Sequence, residues 1–431
     1  MLASSIMLSV RIICLHALAI ATSAKNFPAQ LKEHCSNNPA GPLRPLAHHT
    51  TCPPLVDDDT FVPSNPGPWS YPPTCVIAAS RTNWAPSSKK EKKLCAYTAS
   101  SIRGGSALSV ITTTEIAASM SAMLLDPDIA WLEKQRGGVS LTDFRAEAHK
   151  VQRITGKGLG VVATEKIRRG QVVMVEQPVM VQLADWEPLG WKKSEVVRLL
   201  REGAAKLPPR ERKRLFQMAH RGMGDIVDDV VRTNAYQAFV DGVEHSALYP
   251  EVARINHACK PNCIIRHSST TLIMEVVAYT DISPGEELSV SYVPLNLVSD
   301  QRSSMLKGQW GFNCTCPLCS DAKASTASDD NRNRVADILK MLGGGSGLSS
   351  GALRAAVAEM EDLVAEEGMA AQIGDLYGIV ADVCLTMGNL GMARELAEQT
   401  LDVQRWYAGV DNERTTKALE FWQEVNEMKP V

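Results

Sequence analysis

Three things are scarce in this sequence, and each scarcity closes a class of explanation. Net charge is scarce. The chain has 45 Lys and Arg against 48 Asp and Glu, so no global basic field draws it to nucleic acid. Long apolar runs are scarce: beyond the first 24 residues nothing approaches the roughly 20 apolar residues a bilayer span needs. Cysteine is absent from residues 176–234, although the chain holds 11, which excludes a cysteine-ligated finger in that stretch. What remains is ordinary for a globular chain, at 45% apolar and 22% charged. Its 431 residues suffice for two or three domains. The charge run KKEKK at 89–93 reads as a solvated loop.

Residues 1–24 differ from the rest. Arg11 precedes an apolar run from Ile12 to Ile20, and small residues follow, with cleavage sites after Ala21 or Ala24. This is the three-part pattern of a secretory signal peptide. Residues 25–144 form an extension rich in proline and cysteine; residues 25–86 hold twelve of the 23 prolines, which argues against helix or central strand there. Cys35, Cys52, Cys75 and Cys95 would give two disulfides, with three pairings open. A helix is expected from about Thr113 to Gln135.

From residue 145 the pattern changes. GKGLGVVATEKIRRGQVVMVEQPVMVQ at 156–182 alternates β-branched runs with glycine turns, which predicts strands and hairpins. Residues 187–232 read as helical and 271–279 as a strand. SPGEE at 283–287 is a turn, LSVSY at 288–292 a strand, and a helix follows around 299–309. Residues 321–332 are polar and read as a linker, and residues 333–431 as helices. In that last region Gly388-Asn-Leu-Gly391, with Ala393 and Ala397, suits either a tetratricopeptide-like helix pair or a plain helical cap.

Two stretches carry chemistry. CTCPLC supplies Cys314, Cys316 and Cys319 in a C-x-C-x2-C spacing. Three thiolates so close can share one tetrahedral zinc, with Cys259 as candidate fourth ligand; the other reading is a disulfide and a free thiol. Cys259 belongs to RINHACKPNC at 254–263, which alone could be a metal knuckle, a catalytic histidine or a polar turn.

GKGLGVVA, RINHACKPNC, GEELSVSY and WGFNCTCPLC stand in one order. In that order and spacing they resemble a SET domain with post-SET cysteines, the family of S-adenosylmethionine-dependent protein-lysine methyltransferases. NAY at 234–236, LYP at 248–250 and the helical C-terminus resemble its SMYD-like branch. The resemblance implies an α+β fold: small SET-domain sheets with a helical insert over residues 145–320, and a post-SET zinc knot. It implies that Lys157, Gly158, Leu159 and Gly160, with Asn256, His257 and Phe312, contact the cofactor. Tyr292 would be catalytic and would also touch the cofactor, while Tyr236 and Trp310 would wall a lysine channel. It implies one structural Zn²⁺ on Cys259, Cys314, Cys316 and Cys319, and a protein substrate, histone or not.

The chain departs from that family in four ways. Ala258 stands where serine is usual, ELSVSY is a variant strand, no MYND-type finger interrupts the domain, and a signal-like N-terminus precedes it. The last feature points to the secretory pathway, whereas the family resemblance points to nucleus or cytoplasm. The rival functional readings are a non-catalytic SET-fold interaction protein and a methyltransferase for a non-protein amine.

Overall fold

The computed structural model describes residues 67–78, 92–103, 105–125, 133–134, 148–343 and 349–429. The signal-like segment, Cys35 and Cys52 lie outside these residues.

The first described strands are β1 (Thr74–Ile77), β2 (Lys93–Ile102) and β3 (Ser106–Thr113), followed by helix α1 (Thr114–Leu125). Strands β2 and β3 are buried along nearly their whole length, which fits their β-branched and small apolar residues. Cys75 and Cys95 face each other in the β1–β2 register and form a disulfide. The short, proline-preceded β1 sits at the edge, where missing backbone donors cost least.

A hairpin follows, β4 (His149–Ile154) with β5 (Gly158–Ala163), then β6 (Val172–Glu176) and β7 (Met180–Leu183). Three helices, α2 (Lys193–Lys206), α3 (Pro209–Phe216) and α4 (Ile226–Asn234), lead to β8 (Tyr236–Val240) and β9 (Val243–Leu248). The largest sheet runs β1-β2-β3-β7-β9-β8. Strand β7 pairs parallel with β3 through Ser109↔Met180, Val110↔Val181 and Ile111↔Gln182. This corrects the expected division at residue 145. The segment before it is not a separate irregular extension, because residues 93–113 supply inner strands of this sheet. Proline dominates only the part preceding β2.

Four more strands complete the β-structure among the described residues: β10 (Asn256–His257), β11 (Cys263–His267), β12 (Met274–Ala278) and β13 (Ser289–Val290). Strand β12 lies between β11 and β6, and β10 pairs parallel with β13. That last pairing lays RINHACKPNC beside GEELSVSY.

Helices finish the chain: α5 (Ser299–Trp310), α6 (Pro317–Ser320), α7 (Ala322–Gly343), α8 (Ser350–Glu366), α9 (Ile373–Thr386), α10 (Leu390–Tyr407) and α11 (Glu413–Glu427). Helix α7 overturns the linker expected at 321–332. Its buried face there is polar, not apolar. Ser328 and Arg332 are buried and both bond Glu367, Arg332 through Nε at 3.1 Å. A helix held by a buried ion pair shows no apolar period, so composition misreads it.

Helices α9 and α10 pack across Ala393 and Ala397, both fully buried. The region is tied back to the sheets. Asp411 accepts hydrogen bonds from Ser268 Oγ (2.5 Å) and Thr270 Oγ1 (2.6 Å), and Arg332 Nη2 donates to the Cys259 carbonyl at 3.4 Å. Among the described residues no helix is long and apolar enough to cross a membrane.

Candidate active site and cysteine cluster

The site forms where the β4–β5 hairpin, the β10–β13 pair and the C-terminus of α5 meet. Gly160 is the closest approach. A Cβ there would lie 2.6 Å from Asn256 Nδ2, 2.6 Å from Ile154 Cγ1 and 3.0 Å from Glu287 Oε1. Only a glycine lets Asn256 reach inward across the hairpin. Asn256 Nδ2 donates to the Leu159 carbonyl at 3.1 Å and to Glu287 Oε1 at 2.8 Å. The other oxygen of Glu287 takes a 2.7 Å ion pair from Lys157 Nζ. Lys157, Gly158, Leu159, Gly160 and Asn256 are thereby brought together, with Leu159 left 43% exposed on the open side.

Asn262, from the same stretch as Asn256, fixes the neighbouring strand. Its Oδ1 accepts from Ser289 N at 2.8 Å, and its Nδ2 donates to the Glu287 carbonyl at 2.9 Å. Neither Glu287 nor Asn262 was among the expected site residues. Both stand inside the quoted motifs, and a carboxylate within GEEL opposite a lysine turn was the available signal for Glu287.

Tyr292 follows the end of β13. Its hydroxyl donates to the Ile255 carbonyl at 2.7 Å, and its backbone N–H donates to His257 Nδ1 at 3.0 Å. Burial, aided by the charge of Glu287, pushes the phenol well above its ordinary pKa. The hydroxyl is therefore neutral at physiological pH. Aromatic rings surround it: Trp310 at 5.2 Å, His257 at 5.5 Å and Phe312 at 6.4 Å between ring centres. Trp310 Nε1 donates to the Thr233 carbonyl at 2.9 Å, which fixes that ring against the end of α4.

Tyr236 opens β8, stacks edge-on with Tyr249 at 6.0 Å, and has its phenol pushed far up by burial, with Tyr292 the next influence. Gly311 ends α5 in the left-handed region at φ +79°, its N–H returning to the Leu306 and Lys307 carbonyls. That turn swings Phe312 and Cys314 back toward the tyrosine and the cysteines.

The His257 side chain is turned into the protein. It is 4% exposed, and both ring nitrogens are engaged within the protein, Nδ1 by Tyr292 and Nε2 by Cys259 Sγ at 3.3 Å. Burial lowers its pKa to about 4, so the ring is neutral.

Cys259, Cys314, Cys316 and Cys319 gather with all four sulfurs within 4.8 Å of one another. Tetrahedral thiolates at a Zn–S distance of about 2.3 Å stand roughly 3.8 Å apart. Cys259 Sγ lies 3.9 Å from Cys314 Sγ and 3.5 Å from Cys319 Sγ, so the donor set fits a zinc ion in spacing and chemistry.

Comparison with known proteins agrees with this geometry. Residues 158–293 match the sequence model of the SET domain, and this part of the chain is a SET domain. Over 90 residues the chain is 37% identical to the N-lysine methyltransferase SMYD2-A of Danio rerio, covering 21% of this chain and 20% of that protein. It is 33% identical over 99 residues to the histone-lysine N-methyltransferase SMYD3 of Homo sapiens, covering 22% and 23%. To the histone-lysine N-methyltransferase set5 of Schizosaccharomyces pombe it is 24% identical over 200 residues, covering 46% and 58%. The matched residues thus span less than two thirds of each of these relatives.

Proposed function

We propose that this protein transfers a methyl group from S-adenosylmethionine to a lysine side chain of a protein. The observation that carries the reading is the placement of Tyr292. Its hydroxyl sits on the Ile255 carbonyl, one residue before the Asn256 cradle, inside a ring of Trp310, Phe312 and His257.

The cofactor would supply a methyl on a positively charged sulfur. Its cradle would be the open side of Gly158–Gly160 with Asn256, and Phe312 beside it. The work of this chain's own residues is to present a neutral amine in line with that methyl. A free lysine has a pKa of about 10.4 and is mostly protonated at neutral pH. A channel walled by Tyr236 and Trp310 penalises the ammonium form, so the amine enters with its lone pair available. Bound there, the cofactor would supply an electrophilic methyl, whose transfer to the amine would break its bond to sulfur and release the amine's proton to water.

Tyr292 is not the base, because burial keeps its phenol protonated. Its donated proton is committed to Ile255, so its oxygen lone pairs are free to accept weak C–H···O contacts from the methyl. Most of the acceleration then comes from alignment. Zinc on Cys259, Cys314, Cys316 and Cys319 would be structural, since four thiolates leave no open position. It would pin Trp310 and Phe312 over the site.

Entry into the secretory pathway belongs to the same proposal, supported by the composition of residues 1–24 and by the Cys75–Cys95 disulfide. A C-terminal tag on the full chain expressed in its own host tests it, and intracellular protein with an intact N-terminus would reject it. Methyl transfer is tested with purified protein, labelled cofactor and a panel of proteins. Label on lysine is expected, and cofactor binding without any transfer would favour an interaction protein instead.

A further inference from the structure

His257 joins two things that the sequence keeps apart. Its Nδ1 accepts the backbone N–H of Tyr292 at 3.0 Å, and its Nε2 lies 3.3 Å from Cys259 Sγ. The ring is buried and packs on the rings of Tyr292 and Phe312 at 5.5 and 6.3 Å.

The direction of both bonds follows from elementary chemistry. A backbone N–H can only donate, so Nδ1 must offer its lone pair. A neutral imidazole carries one proton, which is then on Nε2. That proton points at Cys259 sulfur, which must accept. A sulfur held on a metal is fixed in position opposite Nε2. The ring is therefore anchored on the cysteine cluster at one nitrogen and holds the tyrosine strand at the other.

We infer that His257 is a positioning residue that couples the four-cysteine site to Tyr292, so that loss of the bound metal loosens the tyrosine. An N–H···S bond to a metal ligand also works in reverse: the ring steadies Cys259 and strengthens metal retention. Partners of this outer kind are worth roughly 10–100-fold in metal affinity. The inference rests on the methyltransferase reading only for what Tyr292 does; the linkage itself does not depend on it.

The test uses the full chain, labelled with ¹⁵N-histidine, loaded with zinc and then stripped by a chelator. The His257 signals are expected to report a neutral ring protonated on Nε2, and to change when zinc is removed. Two variants separate the two bonds. In His257→Gln the side-chain N–H can still reach Cys259 but no acceptor faces Tyr292. Zinc affinity should stay within a few-fold of the parent, while kcat falls with little change in KM. In His257→Asn the side-chain oxygen can take the place of Nδ1 but nothing reaches Cys259. Zinc affinity should then fall roughly 10–100-fold. A ring protonated on Nδ1, or signals unmoved by zinc removal, would overturn the linkage. So would zinc affinity at the parent value in His257→Asn. Should the parent chain transfer no methyl at all, the spectra and zinc affinities still decide the linkage, and the failure counts against the proposed function alone.

Discussion

The cradle around Tyr292 and the helices after residue 322 are built on opposite plans. In the cradle, single polar contacts join segments far apart in the chain. Lys157 pairs with Glu287, Asn256 reaches Leu159, and Tyr292 reaches Ile255. In the helical region, apolar faces repeat, with Ile338, Leu342, Leu353, Met360, Val380 and Leu396 in one cluster. Within it one buried ion pair, Arg332 with Glu367, fastens α7 to the turn after α8. The difference teaches where each kind of damage should appear. Loss of one contact in the cradle should cost binding or turnover with modest loss of stability. Loss of a buried contact among the helices should cost stability first.

The largest expected effect comes from breaking the buried pair. Glu367→Ala leaves the buried Arg332 guanidinium unpaired, which should cost about 3–5 kcal/mol of stability. Denaturant unfolding measures it, and cofactor affinity of the folded fraction should change little. A loss under about 1 kcal/mol would mean that the pair is not what holds α7 in place.

Next comes Gly160→Ala. The added Cβ must displace Asn256, Ile154 or Glu287, and overpacking of this kind costs roughly 1–3 kcal/mol. The loss should appear in S-adenosylmethionine affinity by calorimetry, as a drop of about 5- to 150-fold, each 1.4 kcal/mol being tenfold. Unchanged affinity would remove the hairpin from the cofactor site.

The smallest expected effect is a pH dependence. Burial alone would raise the Glu367 pKa, but Ser328, Asn331, Lys260 and Arg332 hold it below the ordinary value. A carboxylate lowered on folding contributes stability above its unfolded pKa of about 4.3 and loses it as pH falls through the folded value. Stability of the parent should therefore decline on acidification below about pH 4.3, and in Glu367→Gln that decline should be shallower. Equal slopes would show that Glu367 contributes nothing to the acid response.

These contrasts also explain what could be read from sequence. The cradle was legible because its residues cluster in four short motifs, and the cysteine spacing named the sulfur cluster before any fold was known. Strands at 274–278 and 289–290 lie within the stretches 271–279 and 288–292 read as strands, and the helix at 299–310 lies where a helix was expected around 299–309. Strands β2 and β3 were misassigned to an extension, because their partner β7 stands at residues 180–183 and pairing over that distance leaves no local mark. Helix α7 was read as a linker because its inward face is Ser328 and Arg332. The partners of the His257 ring leave no mark in the sequence for a similar reason. They are a backbone amide and a sulfur, and a backbone amide has no letter of its own.

The most direct measurement is methyl transfer by the purified full chain and by Tyr292→Phe, with cofactor affinity determined alongside. The parent should label lysine in a protein substrate. The variant should bind S-adenosylmethionine with nearly parental affinity yet transfer more slowly by roughly 30-fold or more, about 2 kcal/mol of barrier at 1.36 kcal/mol per tenfold. Equal turnover in the two proteins, or bound cofactor with no transfer by the parent, would contradict the account.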